Sequence, residues 1–266
     1  MEAAEASQPE DDQPCSPGSA TRGGERLGKF DETGKVSVWP GNTIICPFPV
    51  EHPLAQAMLA MNRMIASDYS TYMTTTPPSS YHMTILGGVD PEQRQKNRLP
   101  IGITAEMPPE TVNERLTERL SRAVFDIPDP IEMQIDPDRY HAPITGTPLR
   151  PANAAIASGL YDLRRQIAEV LQFQPDDLTH YMFHATYAYR FRSIPFGVKW
   201  GLRKAVHQWR RNAADRLGSF TIPGPVFCSF ETMFAFKPLL PLRSHGPRPH
   251  TSSQGHDINC EGECPG

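Results

Sequence analysis

Apolar residues return every three or four positions in four stretches of the chain and alternate with polar ones in several shorter stretches, so the chain reads as interleaved helices and strands. Leu54, Met58, Met61 and Ile65 predict a helix over 54–67, opened by Pro53. Leu116, Leu120 and Val124 lie four apart and predict a second over 110–124. A third is predicted over 154–171. A fourth spans 196–217, with Val198, Leu202, Val206, Trp209, Ala213 and Leu217 on one stripe. Strands are predicted over 36–38, 42–48, 81–86, 131–135, 181–191 and 225–236, with Pro40-Gly41 and Gly87-Gly88 as punctuation and a proline-marked extended segment over 143–151. The order helix, polar connection, apolar strand occurs once in each half, which predicts an internal duplication.

Composition adds boundaries to this picture. The chain has 266 residues, 38% hydrophobic, enough for a sizeable core, and 28 prolines. Its formal net charge of −4 resides wholly in residues 1–27, where six acids face Arg22 and Arg26. That leader and the tail after about residue 241 hold few large apolar residues and are expected to be disordered, leaving a folded part over 28–240. No stretch is long and apolar enough for a membrane helix, and the acidic N-terminus differs from a signal peptide, so the expected address is cytoplasmic, with the nucleus open. Five scattered cysteines fit a reducing compartment; Cys46 and Cys228 fall in apolar strands and are expected in the core. His256, Cys260 and Cys264 have metal-like spacing but supply too few ligands for a structural zinc site.

Two of the predicted strands share a chemistry. One reads Tyr81-His82-Met83-Thr84-Ile85 and the other Phe183-His184-Ala185-Thr186-Tyr187. Side chains two apart in a strand share a face, so His82 and Thr84 project together, opposite Tyr81, Met83 and Ile85, while His184 and Thr186 project opposite Phe183 and Tyr187. A single His-x-Thr is common by chance, and a strand histidine is usually structural. A pair in equivalent positions is a different signal. Two imidazoles facing one cleft can take and give a proton near neutral pH, and two hydroxyls can donate to phosphoryl oxygens as charge gathers on them. Arg190 falls on the same strand parity as His184 and Thr186 and is expected to add a phosphate contact. Arg94 and Arg98, after the first motif, can reach a ligand, though loop arginines are mostly solvated. Residues 190–216 carry eight Lys and Arg against Asp215 alone. They read either as an RNA-facing surface, with Trp200 or Tyr189 for stacking, or as the solvated side of a helix, the commoner case.

The paired motifs, with Gly28-Lys29-Phe30, Gly34-Lys35, PGNT (40–43), PPSSYHMT and YMFHATYAY, resemble the 2H phosphoesterase superfamily, which includes RNA ligase-like and cyclic nucleotide phosphodiesterase proteins, and within it the domain of unknown function 1868. Leu99-Pro100 stands where that branch carries Trp-Pro. The resemblance implies an α+β fold of two pseudo-symmetric lobes, each a mostly antiparallel sheet backed by helices, around a groove with one His-x-Thr on either side. It implies His82 and His184 as the acid/base pair and Thr84 and Thr186 as phosphate-binding residues. The implied activity is metal-independent hydrolysis of a 2′,3′-cyclic phosphate or related phosphodiester of RNA or a nucleotide; no cofactor is expected, and a monomer is expected. The alternative is a non-catalytic nucleotide- or RNA-binding module that uses the same groove.

Overall fold

A computed structural model describes residues 20–22, 25–139, 142–175, 177–178 and 180–245. A short hairpin, β1 (Ala20–Arg22) and β2 (Glu25–Leu27), precedes β3 (Gly41–Pro47), α1 (Pro53–Asp68), β4 (Met73–Thr75), β5 (His82–Gly87), α2 (Pro91–Gln95) and α3 (Pro109–Ser121). The second half runs through β6 (Ile131–Ile135), β7 (Gly146–Pro151), α4 (Ala154–Leu171), β8 (His184–Thr186), β9 (Ala188–Arg190), α5 (Phe196–Leu217), β10 (Ser219–Ile222), β11 (Val226–Thr232) and β12 (Ala235–Pro241). One eight-stranded sheet has the order β10-β6-β7-β8-β5-β3-β11-β12, with every neighbouring pair antiparallel.

The expected duplication is visible in this order. β3, α1 and β5 form one unit and β7, α4 and β8 the other; in each, a helix connects two antiparallel neighbours, and the second strand carries a His-x-Thr. The units meet between β5 and β8, where Met83 and Ala185 are the one register pair. The two expected lobes are thus halves of a continuous sheet, joined by a narrow seam. Helices cover the apolar side: Met58, Met61 and Ile65 of α1 and Leu160, Leu163 and Ile167 of α4 share a core with Met83, Ile85, Ala185 and Tyr187. Asn153 caps α4 by accepting from the Ile156 amide, and Gln172 closes it in the left-handed region at φ 52°.

PGNT is a clamp on this architecture. A Cβ at Gly41 would lie 2.6 Å from the Phe230 ring and 2.8 Å from the Val89 carbonyl, so only glycine fits there. Asn42, buried, accepts from the Val89 amide and donates to Asn113, and the Thr43 hydroxyl donates to the Leu86 carbonyl. The motif therefore holds β3 against the end of the first His-x-Thr strand.

Several expectations need correction. Within the stretch expected as a leader, β1 pairs with β2, and at the other boundary Leu242 is buried and Phe125 bonds to Arg243 and His245. The rest of both terminal segments, the tail cysteines among them, lies outside the described residues. Val36 makes only an isolated bridge to Phe30 instead of a strand. The segment 225–236 is a strand and turn of the β11–β12 hairpin. The second helix ends at Ser121, leaving Val124 exposed, and Val198 departs from the buried stripe of α5. The strand predicted over 181–191 is two short ones in different sheets, because the amides of both Tyr187 and Ala188 donate to the Thr145 carbonyl and both side chains are buried. That bulge resets the alternation. β9 leaves the large sheet to pair with β4. No described helix is long and apolar enough to cross a membrane.

Candidate active site

The seam brings the two motifs together. Continuing the antiparallel register from Met83 and Ala185 sets His82 opposite Thr186 and Thr84 opposite His184. Met83 and Ala185 are fully buried on the helix side, whereas all four motif residues are only partly covered, so they share the other face. On such a rectangle the two histidines are diagonal neighbours, with side-chain roots about 7–8 Å apart. Each histidine has one threonine beside it two residues along its own strand and the other directly across. Tyr81 and Tyr187 are core residues, as parity predicts.

The imidazoles are fixed in the same manner. Nδ1 of His82 lies 2.7 Å from the Ser80 carbonyl, and Nδ1 of His184 lies 2.9 Å from the Met182 carbonyl. A carbonyl only accepts, so Nδ1 carries the proton in both, and Nε2 is the nitrogen that remains to exchange one. The Ser80 carbonyl is itself presented by a 3-10 turn over Pro78–Ser80, which gives PPSS a mechanical role ahead of the motif. Burial pushes the His82 pKa down to about 4, against the bond to Ser80, and the neighbouring His184 lowers it further. Burial also lowers His184, partly offset by the Met182 bond, and the charge of Lys29 adds to the lowering. Both rings are thus neutral bases at neutral pH in the free protein.

The walls differ on the two sides. The Phe236 ring, on β12, stands edge-on to His82 with centroids 4.4 Å apart. Phe236 belongs to a second apolar cluster with Trp39, Phe230, Met233, Phe30 and Tyr189, which flanks the first motif. Lys29 borders the same cluster, with its Nζ 5.9 Å from the Tyr189 ring centre, on which Phe30 packs at 5.0 Å, and its charge acts on His184. The Tyr181 ring centre lies 6.1 Å from that of His184.

Not all the expected contacts converge. Arg190 sits on β9, opposite Met73 of β4, beyond the bulge, so the parity that placed it beside His184 and Thr186 does not carry through. Arg94 donates to the Ala105 and Met107 carbonyls and pins that loop. Most basic residues of 190–216 lie on α5; Trp200, Arg203, Lys204 and His207 line a depression on its outer side. Arg210 is an exception, buried and donating to the Pro143 and Gly146 carbonyls. Lys29, Tyr181 and Phe236 went unread as site residues. Lys29 and Tyr181 stand in stretches already singled out for resemblance, GKF and YMFHATYAY, whereas Phe236 comes from β12, with β3 and β11 between it and the His82 strand in the sheet order.

The central seam of the antiparallel sheet thus carries one His-x-Thr from each half on a single face. Residues 29–142 match the family model named 2H-phosphodiest, a domain of unknown function (DUF1868). That span contains the first motif and ends before the second, which the fold sets beside it. Among solved structures, a conserved protein of unknown function from Agrobacterium tumefaciens is similar, with a TM-score of 0.69 and 24% identity over 80% of this chain and 90% of that one. This likeness bears on the fold alone. No curated protein matches the chain.

Proposed function

We propose that this protein is a metal-independent phosphoric diester hydrolase that opens a 2′,3′-cyclic phosphate on a nucleotide or an RNA end by two-histidine acid/base catalysis. The observation that carries the reading is the matched pair of imidazoles on one face of the seam, each with Nδ1 engaged by a backbone carbonyl and Nε2 left for chemistry. One Nε2 takes a proton from the attacking water as its oxygen bonds to phosphorus. The other, protonated, gives its proton to the departing 2′ or 3′ ribose oxygen as that P–O bond breaks, leaving a phosphomonoester. Thr84 and Thr186 donate to the non-bridging oxygens, where negative charge accumulates. Lys29 supplies a positive charge that acts on His184, the part first expected of Arg190. In this reading His82, beside the apolar edge of Phe236, which favours its neutral form, is the base, and His184 is the acid. The anionic phosphate raises the pKa of both rings as it binds, so that one proton is acquired with the substrate.

The test is hydrolysis of a panel of 2′,3′-cyclic mononucleotides and a cyclic-phosphate-terminated RNA, with EDTA present and with His82→Ala and His184→Ala in parallel. Turnover by the wild type alone is expected. Turnover that EDTA abolishes, or that survives His184→Ala, sinks the mechanism. Binding without turnover in folded wild-type protein would favour the non-catalytic module.

A further inference from the structure

α5 carries two stripes of opposite character. One consists of Leu202, Val206 and Ala213, buried in the core on the helix side of the sheet, where Trp209 of the same helix stands edge-on to the Tyr187 ring at 6.0 Å. That side is the one opposite His82, Thr84, His184 and Thr186. The other stripe faces outward: Phe196, Trp200, Arg203, Lys204, His207 and Arg211 recur every three or four residues along it. Its first two turns are unusually bare. Phe196 is 84% exposed, Trp200 59% and Val198 37%, so three of the seven exposed large apolar side chains among the described residues fall within five positions. A Cβ added to Gly197 or Gly201 would have no neighbour within 4 Å, which sets this stretch of helix clear of the rest of the fold. Cations follow directly. Trp200 shares a depression with Arg203, Lys204 and His207, and the chain holds no Asp or Glu between Asp177 and Asp215.

Aromatic rings left in water beside a run of uncompensated cations fit a surface that is apolar within and anionic at its border. At a bilayer the rings rest at headgroup level, and Lys and Arg attract the acidic headgroups. A second copy of the chain fits poorly, because a two-fold contact would set the cationic stripe against itself. A nucleic acid strand would match the charge, but it would lie behind the sheet, away from the groove that bears the histidines. We infer that the outer face of α5 docks the protein on an anionic phospholipid surface, with Phe196 and Trp200 seated among the headgroups and Arg203 and Lys204 paired with their negative charges. No spanning helix is needed for such contact, and the motif face is left turned toward water. The inference goes beyond the phosphodiesterase reading and uses none of its residues.

The experiment is sedimentation of the full chain with vesicles of phosphatidylcholine, with and without phosphatidylserine, at low and at physiological salt. Tryptophan emission supplies a second readout with a built-in assignment: Trp39 is fully buried and Trp209 half-buried, so Trp200 is the ring that lipid can reach. Binding is expected to need phosphatidylserine, to weaken as salt rises, and to bring quenching of tryptophan emission by lipids brominated in the acyl chain. The double variant Phe196→Ser/Trp200→Ser should lower vesicle affinity by about tenfold or more, since two exposed rings lose their apolar partner. Arg203→Gln/Lys204→Gln should lower it by roughly 25-fold, about fivefold for each cation. All four positions lie outside the core, and thermal melting checks that both variants fold. Three results overturn the inference: no sedimentation of wild type with phosphatidylserine vesicles at low salt, binding that both variants retain, and binding without quenching. Two others overturn it by naming a different occupant. Affinity for oligouridylate that the same variants lose, with vesicles ignored, gives the face to RNA. A dimer that Phe196→Ser/Trp200→Ser dissociates, again with vesicles ignored, gives it to a second copy.

Discussion

The two halves of the sheet present the same motif in different surroundings. β5 and β8 each carry His-x-Thr, each histidine gives its Nδ1 proton to the carbonyl two residues before it, and each strand is backed by a helix that arrives from its antiparallel neighbour. What lies in front of them differs. His82 faces an aromatic edge from Phe236 and a cluster built on Trp39 and Phe230, while His184 has Tyr181 beside it and the charge of Lys29 nearby. A duplicated scaffold delivers two equivalent rings, and the unduplicated parts make them unequal. The elements responsible are the hairpin β11–β12 and the segment ahead of β3. Chemistry that needs one base and one acid needs such inequality.

The largest expected effect removes the shared part. His82→Ala and His184→Ala should each lower kcat/KM for a 2′,3′-cyclic nucleotide by about 10²–10⁴, the usual worth of a positioned acid or base. The double variant should fall little further, because the two groups act in one step. Additive losses in this assay would mean that the rings work independently.

Smaller effects test the inequality itself. Lys29→Gln should raise KM severalfold, since a cation near the phosphate is lost, and should raise the pKa of His184, because the present charge lowers it. Histidine ring NMR titration of the free protein reads that second change without any substrate, and an unmoved His184 signal would detach Lys29 from the site. Proton uptake on binding gives a further check. Both rings are held neutral in the free protein, so an anionic ligand that raises their pKa must bind with a proton at neutral pH. Titration calorimetry with inorganic phosphate in buffers of different ionisation heat should show buffer-dependent enthalpies, and affinity should weaken as pH rises. Buffer-independent heats would show that the rings do not respond to the anion.

Much of this arrangement was legible in the residues, for a definite reason. Strand parity sorts His82 and Thr84 from Met83 and Ile85 wherever the strand stays regular, and it did so for both motifs. Helix periodicity located α1, α4 and α5 almost to the residue. Parity failed where regularity failed. The bulge at Tyr187 and Ala188 is made by a carbonyl from a distant loop, Thr145, and nothing local to YAYR announces it, so the strand parity used for Arg190 does not carry past it. The seam itself was also hidden, because two half-sheets and one joined sheet share the same local patterns. Phe236 meets His82 from a strand separated from β5 by two others in the sheet order, and that contact has no signature in spacing. PGNT was recognised as distinctive without its task being evident; Gly41 and Asn42 turn out to brace β3 rather than line the site.

The smallest effect isolates the apolar wall. His82 has a pKa of about 4 in the folded protein against an ordinary value of 6.5. Between those values the unfolded chain binds more protons than the folded one at this residue, so folding stability falls as pH drops from 6.5 toward 4. The contribution is fully present above 6.5, where the ring is neutral in both states. His82→Gln has no such proton to bind, and its melting temperature should fall less steeply than that of wild type over the same window. Phe236→Ala should act in the same direction by a different route: opening the wall lets water reach the ring, moves the His82 pKa back up, and flattens the slope while lowering stability at neutral pH through lost packing. The second half supplies the internal control. His184 has no aromatic edge of this kind in contact with it from β12, so Phe236→Ala should shift the His82 titration and leave that of His184 nearly in place. Equal shifts in both rings would mean that the wall is common to the site and that the two halves are less different than their neighbours make them.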